Sequence, residues 1–418
     1  MKTIGRRRSV LGIGLILVLL LSACGTPATP EPTATPTSAA PDLTSPTLGD
    51  PADPVTPIAP DALAICEAAP LPELPVREVD DTDYVKGASL EDAELIIYEY
   101  SDFQCPGCGG MYPVLETFLE MNPEVALVYR HFPLDFNPHA QVMAEAAEAA
   151  GAQGKFWEMH NLIFDRLREW NGLSQGEVLE QLSVYAEELD LDVEAFDTAL
   201  AEGTYAPKVD AQYEEARELQ LPGTPSLIFD NVLFPSDIGL SLQGLMAFKD
   251  IIERQDDLFY AGPPEMTLDE DADYEAVLKT SQGDIKVNLL QTAAPVFVNN
   301  FVFLAEEQWY DGSEFFFVAD DFVAVTGDPT NSTVGYPGYF CQGETQNAFD
   351  RAGLVGMLAN GQFFVTLGAD AVQLSGQFAL IGQVTEGLDL LDQLARRSFG
   401  DPLAPAADVV ETIQINKN

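Results

Sequence analysis

Apolar and polar positions divide the chain into stretches of different character. Val10 to Leu21 is an unbroken apolar run behind Lys2 and Arg6-Arg7-Arg8, too short for a comfortable transmembrane helix. From Gly25 to Pro60 no large apolar residue recurs at helix or strand period, and Pro, Thr, Ala and Asp dominate. Such a segment buries too little surface to offset ordering, and its prolines favour an extended spacer. Leu95-Ile96-Ile97-Tyr98-Glu99-Tyr100 then predicts a buried strand, and Gly109 to Leu119 a helix. Helical spacing recurs around Val142 to Leu167, Gly176 to Leu189 and Val193 to Leu219, before a strand at Leu227-Ile228-Phe229.

Past the acidic Asp269-Glu270-Asp271 the period changes. Ala276 to Thr280 and Ile285 to Leu289 predict a hairpin around Ser281-Gln282-Gly283-Asp284. An amphipathic helix follows from Ala294 to Glu307 with Pro295 in its first turn. Short apolar runs separated by Gly, Asp and Pro then predict a compact β-barrel or sandwich. The expected division is a signal over 1–23, a disordered tether over 24–62, an α/β domain over 63–262, a linker over 263–273 and a mainly β domain over 274–418.

The length of 418 residues fits two or three domains, and the 46 % of hydrophobic residues supplies ordinary cores. Acidic residues outnumber basic ones 67 to 20, for a net charge of −47. No basic face capable of tracking a phosphate backbone is expected, which sets nucleic acid aside as a partner.

The apolar run ends in Leu21-Ser22-Ala23-Cys24, which resembles the lipobox of bacterial lipoproteins. That resemblance implies a lipid on Cys24, a membrane anchor without a spanning helix, and an extracytoplasmic location; the route of export stays open. In polyproline II geometry the tether could reach roughly 100 Å. In an oxidising compartment the remaining Cys66, Cys105, Cys108 and Cys341 invite two disulfides. Cys66 and Cys341 lack local partners, so a long-range bridge clamping the two domains is expected, with free thiols as the alternative.

Cys105-Pro106-Gly107-Cys108 follows the first strand through Ser101-Asp102-Phe103-Gln104 and opens the first helix. There the first thiol faces the positive end of the helix, which favours thiolate. Cys108 lies one turn deeper on the same face, so Cys105 is the attacking sulfur and Cys108 the resolving one. Tetrahedral zinc would need two more ligands, and the sequence has no second C-x-x-C and only three His. No metal and no organic cofactor is expected.

This region resembles the DsbA-like branch of the thioredoxin superfamily, with a helical insertion in a thioredoxin fold. The resemblance implies a cis-proline at Pro225 preceded by Thr224, a loop that binds substrate peptide together with Pro106, Gly107 and Phe103, and a buried acid at Glu99 managing the proton of the resolving thiol. Strongly oxidising relatives commonly carry a His in the dipeptide, absent here. His131, His139 and His160 read as structural or surface residues.

The second segment resembles cyclophilin, a peptidyl-prolyl isomerase fold, through Ala294-Pro295, Tyr310-Asp311-Gly312, Gly327-Asp328-Pro329, Pro337-Gly338-Tyr339 and Gln362-Phe363-Phe364-Val365. The family's groove then maps onto Phe317, Val325, Gln362, Phe364 and Phe378. Phe317 stands where the family has its catalytic Arg, Val325 where it has Gln, and Phe378 where it has His. A phenyl ring cannot donate the hydrogen bonds of a guanidinium, so a degenerate domain that binds clients is expected. The implied protein is a thiol-disulfide oxidoreductase acting on exported clients and reset by a redox partner. Reductase or isomerase direction, an active prolyl isomerase and a non-catalytic chaperone remain open alternatives.

Overall fold

The computed structural model describes residues 51, 53–235, 238–401 and 403–418; the apolar run, the lipobox and Cys24 lie outside them. Five strands build the first sheet: β2 (Tyr84–Gly87), β3 (Leu95–Ser101), β4 (Val125–His131), β5 (Ser226–Phe229) and β6 (Val232–Leu233), numbered after a short β1 (Ile65–Ala68). Their order is β2-β4-β3-β5-β6, with β3 parallel to β4 and antiparallel to β5. Parallel neighbours need a crossover, and helix α1 (Pro106–Met121) supplies it. Met111, Leu115 and Phe118 of α1 pack with Leu245, Phe248 and Ile251 over Leu95, Ile97 and Leu127. Tyr98, Tyr100 and Val128 are covered from the other side by Ala216, Leu219 and Leu221. Burial on both faces explains why β3 and β4 read as continuous apolar runs rather than alternating ones.

Arg130 in β4 is wholly buried. A guanidinium at that depth is tolerated only when paired. Its five N–H groups meet Asp83, Glu215, the Tyr100 hydroxyl and the Arg77 carbonyl, tying β2, β3 and the helix Ala206–Glu218 to one point.

The helical insertion is cut more finely than its periodicity suggests. Val142 to Leu167 is split between Ala140–Gly151 and Phe156–Asp165, and Val193 to Leu219 between Val193–Glu202 and Ala206–Glu218. Gly203 ends the former at φ +62°, a left-handed cap that side chains disfavour.

The second sheet contains β7 (Tyr274–Thr280), β8 (Gly283–Leu289), β9 (Ser313–Glu314), β10 (Phe317–Val318), β11 (Val323–Thr326), β13 (Leu354–Met357), β14 (Phe363–Thr366), β15 (Ala379–Glu386) and β16 (Val409–Lys417). Its order, β10-β11-β14-β13-β15-β8-β7-β16-β9, is open at β10 and β9. Helix Pro295–Glu306 packs Phe297, Phe301 and Leu304 into its core. Buried Glu344 accepts from the Val296 and Phe297 N–H groups at the start of that helix, satisfying donors a first turn leaves open.

Two expected boundaries need correction. β1 belongs to the second domain: it pairs antiparallel with β12 (Tyr339–Gln342), and residues 53–62 lie against that domain instead of forming free tether. The linker 263–273 is packed as well, with the Thr267 N–H bonded to Asn299 and Ala272 in the core. The first domain therefore leaves and rejoins the second on one side. There the Ala69 N–H meets Gly338 O, the Tyr260 N–H meets Pro337 O, and the Trp309 indole donates to Leu258 O.

Cys66 and Cys341 form a disulfide across a sequence separation of 275 residues, opposite one another in the β1/β12 ladder. Replacing both by Ser should lower stability by about 2–5 kcal/mol, read from denaturant melts of oxidised wild type and variant. Coincident melts would remove its stabilising role.

Candidate active site

Cys105 ends the loop after β3 and occupies the N-cap of α1, with φ −78° and ψ 121°. Its sulfur is half-buried, and its thiol donates to Thr224 O at 3.3 Å. The Thr224–Pro225 bond is cis, and both residues are half-buried, while Pro106 and Gly107 are exposed. A Cβ on Gly107 would stand 3.2 Å from Pro225 Cδ and 3.5 Å from Cys105 Sγ. Glycine therefore lets the helix start and the proline loop approach closely.

Cys108 is completely buried, and the Asp102 N–H points to its sulfur at 3.5 Å. The two thiols face opposite electrostatics. A hydrogen bond from Cys108, aided by Thr224 and the N–H groups of Cys108 and Gly107, holds Cys105 well below the ordinary thiol range against some burial. Burial, reinforced by the charge on Cys105, pushes Cys108 far up. Cys105 is the sulfur that ionises and meets solvent; Cys108 stays protonated behind it.

Glu99 lies on β3 opposite Tyr129 of β4 and is 2 % exposed. Burial drives its carboxyl up to about 7. Glu99 Oε1 and the Tyr129 hydroxyl are both buried without a hydrogen-bond partner. A protonatable group thus lies on the strand that leads into the Cys105 loop, in the pH range where a thiol proton must be moved.

Phe103 requires a correction. It does not offer surface to a substrate but is buried among Tyr129, His160 and Phe164, with ring centroids 5.6, 5.5 and 4.9 Å away. The three histidines are likewise buried. His131 pairs with Glu148 at 3.0 Å, His139 meets Leu173 O, and burial lowers His160 to about 3.

Asp102 and Gln104 escaped the motif reading, yet they build the loop that carries Cys105. Asp102 Oδ1 accepts from the Gln104 N–H, and Oδ2 accepts from the Leu134 N–H and Asn137 Nδ2. Its carbonyl accepts from the Cys105 N–H. Gln104 joins the His139 N–H to Asn171. Two polar residues directly between a buried strand and the Cys were the available signal.

In the second domain, the register sets Phe317 opposite Val325 and Val325 opposite Phe364. Phe364 meets Phe378 at 5.4 Å and Phe349 at 5.0 Å. Val325 and Phe364 are buried, and Phe317 and Phe378 half-buried. The place of Gln362 in an open groove is corrected: both hydrogens of its buried amide are committed to Thr333 O and Gly335 O.

Because Glu99 binds its proton more tightly folded than unfolded, its contribution is present below its ordinary value of 4.5 and is lost as pH rises toward 7. Glu99→Gln should remove that loss and stabilise the protein at pH 8 by up to about 3 kcal/mol relative to pH 5. Parallel stability curves for wild type and variant across this range would refute a titrating Glu99.

A thioredoxin family model matches residues 80–254, and the model of cyclophilin type peptidyl-prolyl cis-trans isomerases matches residues 276–417. A Na(+)/H(+) antiporter NhaA 1 of Salinispora arenicola is 40 % identical over 148 residues, 35 % of this chain and 21 % of the antiporter. The peptidyl-prolyl cis-trans isomerase sig-7 of Caenorhabditis elegans is 32 % identical over 151 residues, 32 % of this chain and 35 % of that protein. This chain thus spans about a fifth of the one relative and about a third of the other. A solved thioredoxin-like oxidoreductase from Silicibacter pomeroyi is 26 % identical, covering 42 % of this chain and 94 % of its own, with a TM-score of 0.33. On the two family matches and the two sheets described above, the chain joins a thioredoxin-like domain to a cyclophilin-type domain.

Proposed function

We propose that the protein is a lipid-anchored, extracytoplasmic thiol-disulfide oxidoreductase acting on exported proteins. The observation that carries this reading is the asymmetry of the Cys105/Cys108 pair: one sulfur half-exposed at a helix start and beside Thr224 O, the other sealed behind it. The Cys24 lipobox resemblance motivates the anchor, and the Cys66–Cys341 bridge fits an oxidising compartment.

In the oxidised enzyme a client thiolate attacks Cys105 Sγ, forming a mixed disulfide and breaking the Cys105–Cys108 bond. Its electron pair leaves on Cys108, which takes a proton, with Glu99 as the nearby group of suitable affinity. A second client thiolate then attacks the client sulfur and releases Cys105 as thiolate. The client loses two electrons, the enzyme gains them, and a separate redox partner removes them. A depressed Cys105 pKa makes that sulfur the better leaving group and favours this direction. Thr224 O and the exposed Pro106-Gly107 turn frame the approach to Cys105.

The second domain binds and does not isomerise, since Phe317 offers no donor to a rotating imide and the Gln362 amide hydrogens are spent internally.

Cys105→Ser should reduce oxidation of a reduced client to background, whereas Cys108→Ala, which cannot form the internal disulfide, should trap a mixed disulfide when its Cys105 thiolate attacks a disulfide-bonded client, and should raise the Cys105 pKa, read by thiolate absorbance. An unchanged client oxidation rate in Cys105→Ser would sink the assignment. The full chain should not accelerate a proline-limited refolding reaction; acceleration would restore the isomerase reading.

A further inference from the structure

The end of the segment expected to be free tether is a repeat: Pro51, Pro54, Pro57 and Pro60 fall at every third residue. Proline fixes its own φ and restrains the residue before it, which favours polyproline II at three residues per turn. At that period Val55 and Ile58 share one edge of the helix, and Thr56 and Ala59 another.

The first edge is occupied. The Val55 N–H donates to Gln383 Oε1 at 2.9 Å and the Ile58 N–H to Asn347 Oδ1 at 2.8 Å. Both amides also give hydrogen bonds back. Gln383 Nε2 reaches Asp53 O at 2.8 Å and Pro51 O at 3.3 Å, and Asn347 Nδ2 reaches Ile58 O at 2.8 Å. Arg351 adds a bond to Asp53 O. A primary amide that accepts from and donates to one backbone does what a neighbouring strand does in a sheet. The Val55 side chain packs on the apolar cluster that contains Leu290, Phe349 and Leu354. Thr56 and Ala59 are exposed.

These contacts continue the β1/β12 ladder. Asp53, Ile58, Ala64 and Cys66 meet Arg351, Asn347, Glu344 and Cys341 in turn, so the segment runs antiparallel to the 341–351 loop throughout.

We propose that the cyclophilin-type domain carries a docking site for an extended peptide with proline at every third residue, formed by Asn347 and Gln383 and filled by the chain's own Pro51–Pro60 segment. The hydrogen bonds go to backbone N–H and C=O groups, so the site selects spacing: a three-residue proline period leaves the Val55 and Ile58 N–H groups on one edge, one turn apart. The adjoining disulfide keeps the occupant at high effective concentration.

Amide exchange on the intact oxidised protein tests this. Val55 and Ile58 should be protected about tenfold or more beyond Thr56 and Ala59. Asn347→Ala should raise exchange at Ile58 and spare Val55, Gln383→Ala should do the reverse, and amides of β3 should report an intact fold in both. Inserting one residue between Thr56 and Pro57, which changes the Val55 to Ile58 spacing, should abolish protection at one of the two positions. Equal exchange at all four amides in wild type overturns the proposal. So does protection that persists in both single variants, which would place its source elsewhere.

Discussion

An ionised sulfur at Cys105 and a protonated one at Cys108 require opposite surroundings one helical turn apart, and much of the first domain supplies that contrast. The N-cap position gives Cys105 the unpaired N–H groups of α1. The sheet beneath gives Cys108 depth, in one core cluster with Phe103 and Tyr129. Neither condition survives unless the loop between β3 and α1 is held still. Asp102 holds it: its carbonyl accepts from the Cys105 N–H, and its carboxylate ties the Gln104 N–H to the 134–137 loop. Arg130 does comparable work one strand away, where its complete set of acceptors fixes β4 against β2 and the helical insertion.

The second domain has kept a fold while redirecting its polar groups inward. Gln362 braces two loop carbonyls, Glu344 closes a helix end, and Asn347 and Gln383 grip the entering chain. Phenylalanine occupies positions where the related enzymes carry Arg and His, Phe317 packing on Phe322 and Phe378 on Phe364.

Much of this was legible in the sequence. The run Leu95–Tyr100 followed by C-x-x-C fixed a strand, a tight loop and a helix in order, because a buried parallel strand has no alternative to an unbroken apolar pattern. The hairpin after the acidic stretch was equally plain from its alternation. What stayed hidden depended on contacts between distant residues. Phe103 looks available beside a Cys, but Tyr129 of β4 and two rings from the insertion enclose it. Residues 53–62 look like spacer because they are poor in apolar groups, yet their fixation comes from side chains some 300 positions away, which no local period encodes. Asp102 and Gln104 were missed for a related reason: a polar loop residue gives no sign of how many partners it will find.

The covalent link between Cys66 and Cys341 also has a mechanical meaning. Tension applied between the two ends of the chain would pass from the amino-terminal segment directly across that bond into β12 and on through the carboxyl-terminal strands. The whole thioredoxin-type domain hangs in the closed loop between the two sulfurs, outside the line of force. A pull from an anchor would load the cyclophilin-type domain and leave the redox pair slack, so the catalytic unit could work undeformed while its neighbour bears the strain of attachment.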